Sequence, residues 1–253
     1  VRNTTATRYN SSSLIETVAA NVPRLDYFGV TCPSVLVEAQ STNLFEYSED
    51  FSNAYWTKTR AGITSDSIAS PIASTDADKM IPTAVSGNHF VRRTVSATND
   101  SYIFSGFFKD GGYDVWLRFQ GSSFTNRVEF GVDLSDGSDI SFVQNGTFTG
   151  SKNVVAYPNG WYRIEVKINV PSGEANLQNS MFAYNGAVSF TADGTSGFYV
   201  IGAQVEIQAA ATSYIPTSGA SATRNADVMS VTGLIGTSTL IKTFEDDSTN
   251  VIS

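Results

Sequence analysis

The sequence predicts an all-β protein whose strands form an antiparallel sandwich of two sheets. Short runs rich in Val, Ile, Tyr, Phe and Thr, which are typical of strands, alternate with dipeptides that favour tight turns. No long segment shows sustained helical periodicity. The turn signals are Asp110-Gly111-Gly112, Asp136-Gly137, Asn145-Gly146, Asn159-Gly160, Ser172-Gly173, Asn185-Gly186 and Asp193-Gly194.

Apolar and polar residues alternate in the segment from Tyr113 to Gln120. Successive side chains of a strand point to opposite faces, so one face carries Val115, Leu117 and Phe119. The opposite face carries Trp116, Arg118 and Gln120. We therefore expect the first face to pack on a core and the second to meet water.

A second segment, Trp161 to Val170, alternates equally well. Its predicted core side chains are Tyr162, Ile164, Val166 and Ile168. Its predicted water-facing side chains are Trp161, Arg163, Glu165 and Lys167. Trp161 directly follows a turn, and we expect it to act as a structural lid over the sandwich edge. Similar patterns predict strands at His89 to Val95, Tyr102 to Phe108, Arg127 to Leu134, Met181 to Val188 and Phe198 to Ile207.

The chain is predicted to have three parts. Residues 1–40 form an N-terminal arm with short strands, residues 41–216 form the sandwich, and residues 217–253 form a C-terminal exit segment. The exit segment contains one predicted strand, Thr239 to Phe244. The tripeptide Ala-Thr-Arg occurs at residues 6–8 and again at residues 222–224, so we expect the two arms to lie near each other.

Size and charge exclude several classes of function. The 253 residues suffice to bury a sizeable core. A formal net charge of −8, with 16 basic residues scattered along the sequence, argues against nucleic acid and anionic membrane surfaces as partners. No stretch approaches the ~20 apolar residues of a membrane span, so membrane insertion is not expected. The single cysteine, Cys32, excludes an internal disulfide, and we expect it to be a buried structural thiol.

Residues for catalysis are sparse. His89 is the only histidine and G-x-S-x-G does not occur, so we expect His89 to be a packing or surface residue. A retaining glycosidase needs two carboxyl groups about 5–5.5 Å apart, whereas Glu129 and Asp133 are expected to lie roughly 13 Å apart on one strand face. The remaining acidic cluster is interpreted as a solvated charge run, Glu245-Asp246-Asp247. The sequence therefore predicts no enzyme, and polysaccharide cleavage is a third-ranked hypothesis.

No cofactor is predicted. Glu46, Glu49 and Asp50 could supply oxygen ligands to a structural calcium ion, but the D-x-D-x-D-G spacing is absent. An acidic turn in which Asp50 caps local structure is the preferred interpretation, with calcium as the alternative.

Several segments resemble one family. The stretch GAQVEIQAAATSYIPTSGASATRNAD, residues 202–227, joins a strand-like run to the clasp Tyr214-Ile215-Pro216 and the pair Thr223-Arg224. It resembles the closing section of the concanavalin-like sandwich widespread in structural proteins of tailed phages and prophages. The segments ATRYNSSSLIE, VPRLDY, CPSVLVEAQSTNLFEYSEDFSNAYWTK and GWYRIEV resemble the same family. The resemblance implies a jelly roll with extended arms, carbohydrate binding, a location in the virion exposed to the extracellular medium, and a further module starting after Val231.

A glycan site on a sheet needs an exposed aromatic ring beside planar polar groups, because a sugar ring presents a flat C–H face and a rim of hydroxyls. Trp116, Arg118 and Gln120 meet this description. Tyr113 and Asp110, in the preceding turn, could extend the surface. The alternative left open is that an arm or a neighbouring subunit covers Trp116.

Two functional hypotheses from different classes follow. The first is a non-catalytic phage virion module, in a tail fibre, spike or related appendage, that binds bacterial surface glycan. Its partners are then the glycan and other virion proteins, and analogy with fibres suggests a homotrimer. The second is a purely architectural virion protein whose sandwich mediates protein–protein assembly, with residues 1–40 ordering only on docking.

Overall fold

The computed structural model describes residues 2–73, 75–229, 240–243 and 249–252. Within these ranges the chain is nearly all β, and the helical content is a single 3₁₀ turn at Pro158–Gly160. No helix among the described residues has the length and apolar character needed to cross a membrane. The predicted strand in the exit segment is present at Leu240–Thr243. Four features named above lie outside the described residues: Val231, the acidic run Glu245-Asp246-Asp247, and the two ends of that predicted strand, Thr239 and Phe244.

Short strands occupy the N-terminal arm: β1 (Ala6–Tyr9), β2 (Ile15–Val18), β3 (Arg24–Asp26) and β4 (Ser34–Leu36). The arm is followed by β5 (Ser41–Asn43). The sandwich strands are β6 (Thr57–Thr59), β7 (Ala61–Ala69), β8 (Asp76–Pro82), β9 (Ser86–Asn88), β10 (Phe90–Ser96), β11 (Asp100–Gly111), β12 (Asp114–Gln120), β13 (Arg127–Val132), β14 (Asp139–Asn145), β15 (Thr149–Tyr157), β16 (Trp161–Val170), β17 (Asn176–Tyr184), β18 (Ser189–Thr191) and β19 (Gly197–Ile207). Three more follow: β20 (Ala222–Arg224), β21 (Leu240–Thr243) and β22 (Thr249–Ile252).

Two six-stranded antiparallel sheets pack face to face. Sheet 1 has the strand order β14-β13-β12-β17-β10-β6, and sheet 2 has the order β15-β16-β11-β19-β8-β7. The main core between them contains side chains from both sheets, among them Trp56, Phe104, Leu117, Phe130 and Ile164. The fold is therefore the predicted one: an all-β, concanavalin-like jelly-roll sandwich with extended arms.

The predicted facing of the strands is confirmed. In β12 the three inward side chains are at most 1% exposed: Val115, Leu117 and Phe119. The residues between them are partly exposed: Trp116, Arg118 and Gln120. In β16 the inward set lies in or against the main core: Tyr162, Ile164, Val166 and Ile168.

The predicted turns are also confirmed, because the last glycine of each signal has a positive φ, between 66° at Gly146 and 111° at Gly112. The strands that no sequence pattern singled out include β7, β14 and β15, which lie at sheet edges. Edge strands have fewer buried neighbours and carry more polar residues, so their alternation is weak.

Part of the outer face of sheet 2 is covered by the N-terminal arm. A second core forms there from arm residues and sheet residues: Ile15, Phe107, Trp161, Ile201 and Tyr214. Trp161 is 2% exposed, so the expectation that it faces water is wrong, because the arm lies over it. Arg163 on the same face is also buried and donates from Nη2 to the carbonyl of Thr212 at 2.6 Å. Residues 1–40 thus have a packing surface within their own chain.

The two Ala-Thr-Arg segments lie near each other, as predicted. Thr7 and Arg224 border one cleft, and β20 pairs antiparallel with β5. The backbone N–H of Asn225 donates to Oγ1 of Thr4 at 3.0 Å. The segments that enter and leave the sandwich therefore run side by side.

Five charged side chains hold the arms together. Arg2, Arg24 and Arg224 are at most 3% exposed. Asp227 pairs with Arg2 at 2.8 Å and with Arg24. Glu38 pairs with Arg24 at 2.7 Å and with Arg224 at 3.5 Å. Because three guanidinium groups share two carboxylates away from solvent, loss of one carboxylate would leave buried positive charge without compensation.

Cys32 is exposed, so the expectation of a buried thiol is wrong. It lies in the loop between β3 and β4, which pair as a two-stranded hairpin. Leu25 and Val35 of this hairpin are 41% and 51% exposed. The apolar run after Cys32 therefore does not enclose it, because the hairpin lies outside both cores.

Stability should decrease at acid pH through the arm network. Burial raises the pKa of Glu38, but the positive charges of Arg224 and Arg24 lower it by more, so the pKa lies below its ordinary value of 4.5. The pKa of Asp227 is likewise raised by burial and lowered by Arg24 and Arg2, to a net value below 3.8. Carboxyl groups with depressed folded-state pKa values stabilise the protein above their unfolded values, and this contribution is lost as the pH falls through the folded-state values.

Urea unfolding at a series of pH values should therefore show the network's contribution intact above about pH 5 and declining below it. Asp227→Asn should reduce the slope of stability against pH in the acid range. An unchanged slope in that variant would contradict the assignment of acid sensitivity to the arms.

Candidate functional site

The outer face of sheet 1 is partly exposed, in contrast to that of sheet 2. The register of β12, β17 and β10 sets Trp116 beside Phe182, and Phe182 beside Phe90. Neighbouring strands lie about 4.8 Å apart, so these three aromatic residues follow one another across the sheet. We call this line the aromatic row.

A second line runs parallel to the aromatic row, about 7 Å further along the strands. Here Arg118 is paired with Ser180, and Ser180 with Arg92. We call this line the guanidinium row. A third line beyond it contains Gln120, Gln178 and Thr94. Rings, guanidinium groups and amides are thus arranged in successive lines on one face.

The Trp116 indole is held against its own sheet. Tyr184 stacks on it with ring centres 5.2 Å apart and planes 17° apart. Gly131 is its partner in β13, and any side chain at that position would overlap the indole. Nε1 of Trp116 donates to Glu129 at 3.2 Å. These contacts all lie within sheet 1, so the cover comes in part from neighbouring strands, and the rest of the partly exposed ring remains accessible.

Glu129 is the anchor of this face. It accepts hydrogen bonds from Nε of Arg118 at 2.5 Å and from Nε of Arg127 at 2.8 Å, in addition to that of Trp116. Burial raises the pKa of Glu129, but the bonds from Arg127 and Arg118 lower it more, so it lies below its usual value. A glycosidase acid needs a raised pKa, whereas the pKa of Glu129 is lowered and its oxygens accept three side-chain donors.

Phe124 extends the array from the loop after β12. The guanidinium carbon of Arg118 lies 4.6 Å from the ring centre of Phe182 and 5.3 Å from that of Phe124. Arg127 lies 4.2 Å from the centre of the same Phe124 ring. Phe124 is 54% exposed. Cation–π contacts of this kind fix the guanidinium planes.

The structure does not bring Tyr113 and Asp110 onto this face. Tyr113 packs against the main core, its ring centre lies 4.9 Å from that of Phe190, and its hydroxyl accepts the N–H of Asp193 at 3.2 Å. Asp110 lies in β11 of sheet 2 and accepts the N–H of Gly112 at 2.7 Å. Of the predicted set, Trp116, Arg118 and Gln120 share the face.

Two other sequence interpretations concern β10 and its surroundings. His89 is fully buried, with Nδ1 2.8 Å from the carbonyl oxygen of Arg60 and Nε2 3.2 Å from that of Phe190, which confirms a packing role. Arg92 and Arg93 are neighbours in one strand and point to opposite faces. Arg93 donates to the carbonyl of Tyr55 at 3.1 Å, so Arg92 is the member on the outer face.

The acidic turn at residues 46–53 is satisfied by protein. Asp50 accepts hydrogen bonds from the hydroxyl of Ser52 at 2.6 Å and from the N–H of Asn53 at 3.0 Å, which confirms its capping role. Glu49 accepts the hydroxyls of Tyr214 at 2.8 Å and Thr75 at 3.1 Å. In the part of the chain that the structure describes, no group of three or more His, Cys, Asp or Glu is placed to hold a metal ion.

Sequence reasoning missed several members of this face: Phe90, Phe124, Glu129, Phe182 and Tyr184 as neighbours of Trp116. The alternation within a strand shows which residues share a face of that strand. It does not show that β12, β17 and β10 are neighbours, because that order is set by long-range pairing. A small residue paired with a large one, such as Gly131 with Trp116, indicates where a large side chain lies across the neighbouring strand. This signal can be used only when the strand register is known.

No protein-family model matches the chain, and no curated protein matches its sequence. Solved structures similar to it include the CBM22-1 xylan-binding domain of Paenibacillus barcinonensis Xyn10C (11% identity, 67% of this chain and 94% of that one, TM-score 0.37). A second is the CBM22-1–GH10 part of Clostridium thermocellum xylanase 10B (13%, 70% and 30%, 0.37), of which the chain spans less than a third. A third is the mannan-recognising carbohydrate-binding module TmCBM27 (10%, 68% and 98%, 0.34). At these TM-scores the similarities carry no weight in assigning a ligand to this chain.

Proposed function

We propose that this chain is a non-catalytic glycan-binding module and that the outer face of sheet 1 holds the sugar. The observation that carries the proposal is the order of that face: partly exposed Trp116 in one line, guanidinium groups in the next, and amides in the third. The C–H face of a pyranose packs on an aromatic ring, and its hydroxyls bind planar polar groups.

The part of the face around Trp116 is held by contacts within the protein. Glu129 binds Trp116, Arg118 and Arg127 at once, and Gly131 with Tyr184 fixes the indole plane. Side chains that are already ordered lose little conformational entropy on binding, so weak sugar contacts yield more net affinity.

Trp116→Ala should lower the affinity for a bound glycan at least about tenfold, since buried aromatic anchors dominate such surfaces. The measurement is a glycan array followed by calorimetry with the best-binding oligosaccharide. Ile207→Ala removes an exposed apolar side chain at the end of β19 and serves as the control. Unchanged binding by the Trp116 variant would remove this face from the proposal.

The proposal extends to the setting that the family resemblance implies. The module would belong to a phage tail fibre, spike or related appendage, exposed to the extracellular medium and contacting bacterial surface glycan. A homotrimer would carry three glycan sites in one molecule, and linked sites raise the avidity without any additional contact at each site. Light scattering of the purified protein tests the trimer, and antibody labelling of intact particles tests the location.

A purely architectural role is the second candidate, and one observation favours it. Exposed apolar side chains cluster on the arms: Val22, Leu25, Val35 and Met229, between 41% and 51% exposed. Three of these line a cavity of about 290 Å³, and apolar patches of this kind mark protein contacts. A lattice position within the particle would favour this role, and a tip position would favour adhesion.

A further inference from the structure

Three basic residues that are distant in sequence meet on the outer face of sheet 1: Arg92, Arg118 and Arg127. Glu129 pairs with the second and third, so the cluster carries two uncompensated positive charges in a chain of net charge −8. Basic residues that are scattered along the sequence are therefore gathered locally by the strand register. Charge of this sign at one place attracts an anionic group.

The donors of two of these arginines are free. Among the described residues, Arg92 has no hydrogen bond or ion pair through its side chain, and its guanidinium carbon lies 5.5 Å from the ring centre of Phe90. Arg118 uses only Nε for Glu129. The terminal nitrogens of both side chains have no partner among the described residues and are not among the buried unsatisfied atoms, so they are not fully enclosed, and the Arg118 side chain as a whole is 15% exposed.

The two arginines extend from the strands that flank a small residue of β17. Arg92 and Arg118 both pair with Ser180 in β17, which is 2% exposed. Two strand spacings of about 4.8 Å separate the backbones of the arginines, and the side chain between them is short. Among the described residues neither Asp114 nor Glu174 forms an ion pair with these two arginines; Asp114 accepts the N–H of Leu134 at 3.0 Å and Glu174 accepts that of Ser122 at 2.6 Å.

Resting on the proposed function, we propose that the recognised sugar carries a carboxylate and that Arg92 and Arg118 bind this group while the sugar ring packs at Trp116. A planar carboxylate matches the fork of N–H donors on a guanidinium group, and charge-assisted bonds of this kind are the stronger ones. A neutral sugar would leave both forks with hydroxyls only. Nucleic acid is the poorer occupant, because its long row of phosphates would meet the negative charge of the remaining surface.

The experiment uses a panel of immobilised oligosaccharides, neutral and carboxylate-bearing, and the full chain. The best acidic binder is then compared with the same oligosaccharide after reduction of its carboxyl groups to primary alcohols. Arg92→Gln, which keeps an amide donor and removes the charge, should lose about tenfold or more in affinity for the acidic form and little for the reduced form. Arg92→Lys should restore part of the loss, and Arg8→Gln, in an exposed ion pair on the arm, is the control.

The outcomes separate the two proposals. Selective binding of the acidic form, lost in Arg92→Gln with an unchanged thermal melt, supports the inference. If the acidic and reduced forms bind equally well to the parent protein and both lose binding in Trp116→Ala, the carboxylate inference is overturned. The proposal of glycan binding at this face is then still supported. Binding to no member of the panel overturns the proposed function and this inference with it.

Discussion

Asp227→Asn should lower the free energy of unfolding by about 3–5 kcal/mol, the range typical of breaking a buried ion pair from one side. Arg2, Arg24 and Arg224 are each at most 3% exposed; the substitution leaves Arg2 without an ion-pair partner among the described residues and leaves the other two with Glu38. It also weakens the acceptor for the N–H of Glu38, which Asp227 binds at 3.1 Å. Urea denaturation followed by tryptophan fluorescence measures the loss.

Glu16→Gln is the matched control for this variant. Glu16 pairs with Arg8 on the arm surface, where the two side chains are 33% and 25% exposed. An exposed ion pair contributes about 0–1 kcal/mol, so the control should unfold almost like the parent protein. Equal effects of the two substitutions would show that the network does not hold the arms.

Trp161→Ala should destabilise the fold by about 3–5 kcal/mol, because it removes a large buried side chain and leaves a cavity. Trp161 is 2% exposed and packs in the second core, where Ile15 of the arm meets Phe107 and Ile201 of sheet 2. The arm should therefore loosen before the sandwich unfolds. Limited proteolysis should cut residues 1–40 of the variant faster than those of the parent.

The comparison with Trp116→Ala makes this prediction specific. Trp116 is partly exposed on the opposite sheet, so its removal should cost less stability and abolish glycan binding. Trp161→Ala, below its melting temperature, should bind glycan as the parent does. Loss of binding in both variants, or in neither, would contradict the separate roles assigned to the two tryptophans.

Local patterns were sufficient to predict the fold. The alternation in residues 113–120 and 161–170 fixed which side chains face the core, and turn glycines such as Gly160 marked the strand ends. These features depend on neighbours within the same strand, which a sequence displays directly. The predicted proximity of the arms followed from a repeated tripeptide and is confirmed by the contacts of Arg2 with Asp227 and of Thr4 with Asn225.

Features that depend on non-local packing were not predictable. Trp161 and Trp116 look alike in sequence, since each lies on the polar side of an alternating strand. Only the placement of the arm decides that the first is buried and the second partly exposed. Cys32 has the converse explanation, because its apolar neighbours lie on a hairpin that reaches neither core. The alternation in one strand, β12, was enough to locate the candidate face. Its other members, such as Phe90 and Glu129, lie on β10 and β13 and become apparent only when the strand order is known.

The side-by-side course of the two arms has a mechanical consequence. A load applied between Arg2 and Asp227 would act directly across their ion pair and then along the short ladder that joins Ala222–Arg224 to β5. Bonds loaded in this way open one after another. Under tension we expect the arms to separate and lengthen before the sandwich opens, so the outer face of sheet 1 would keep its arrangement.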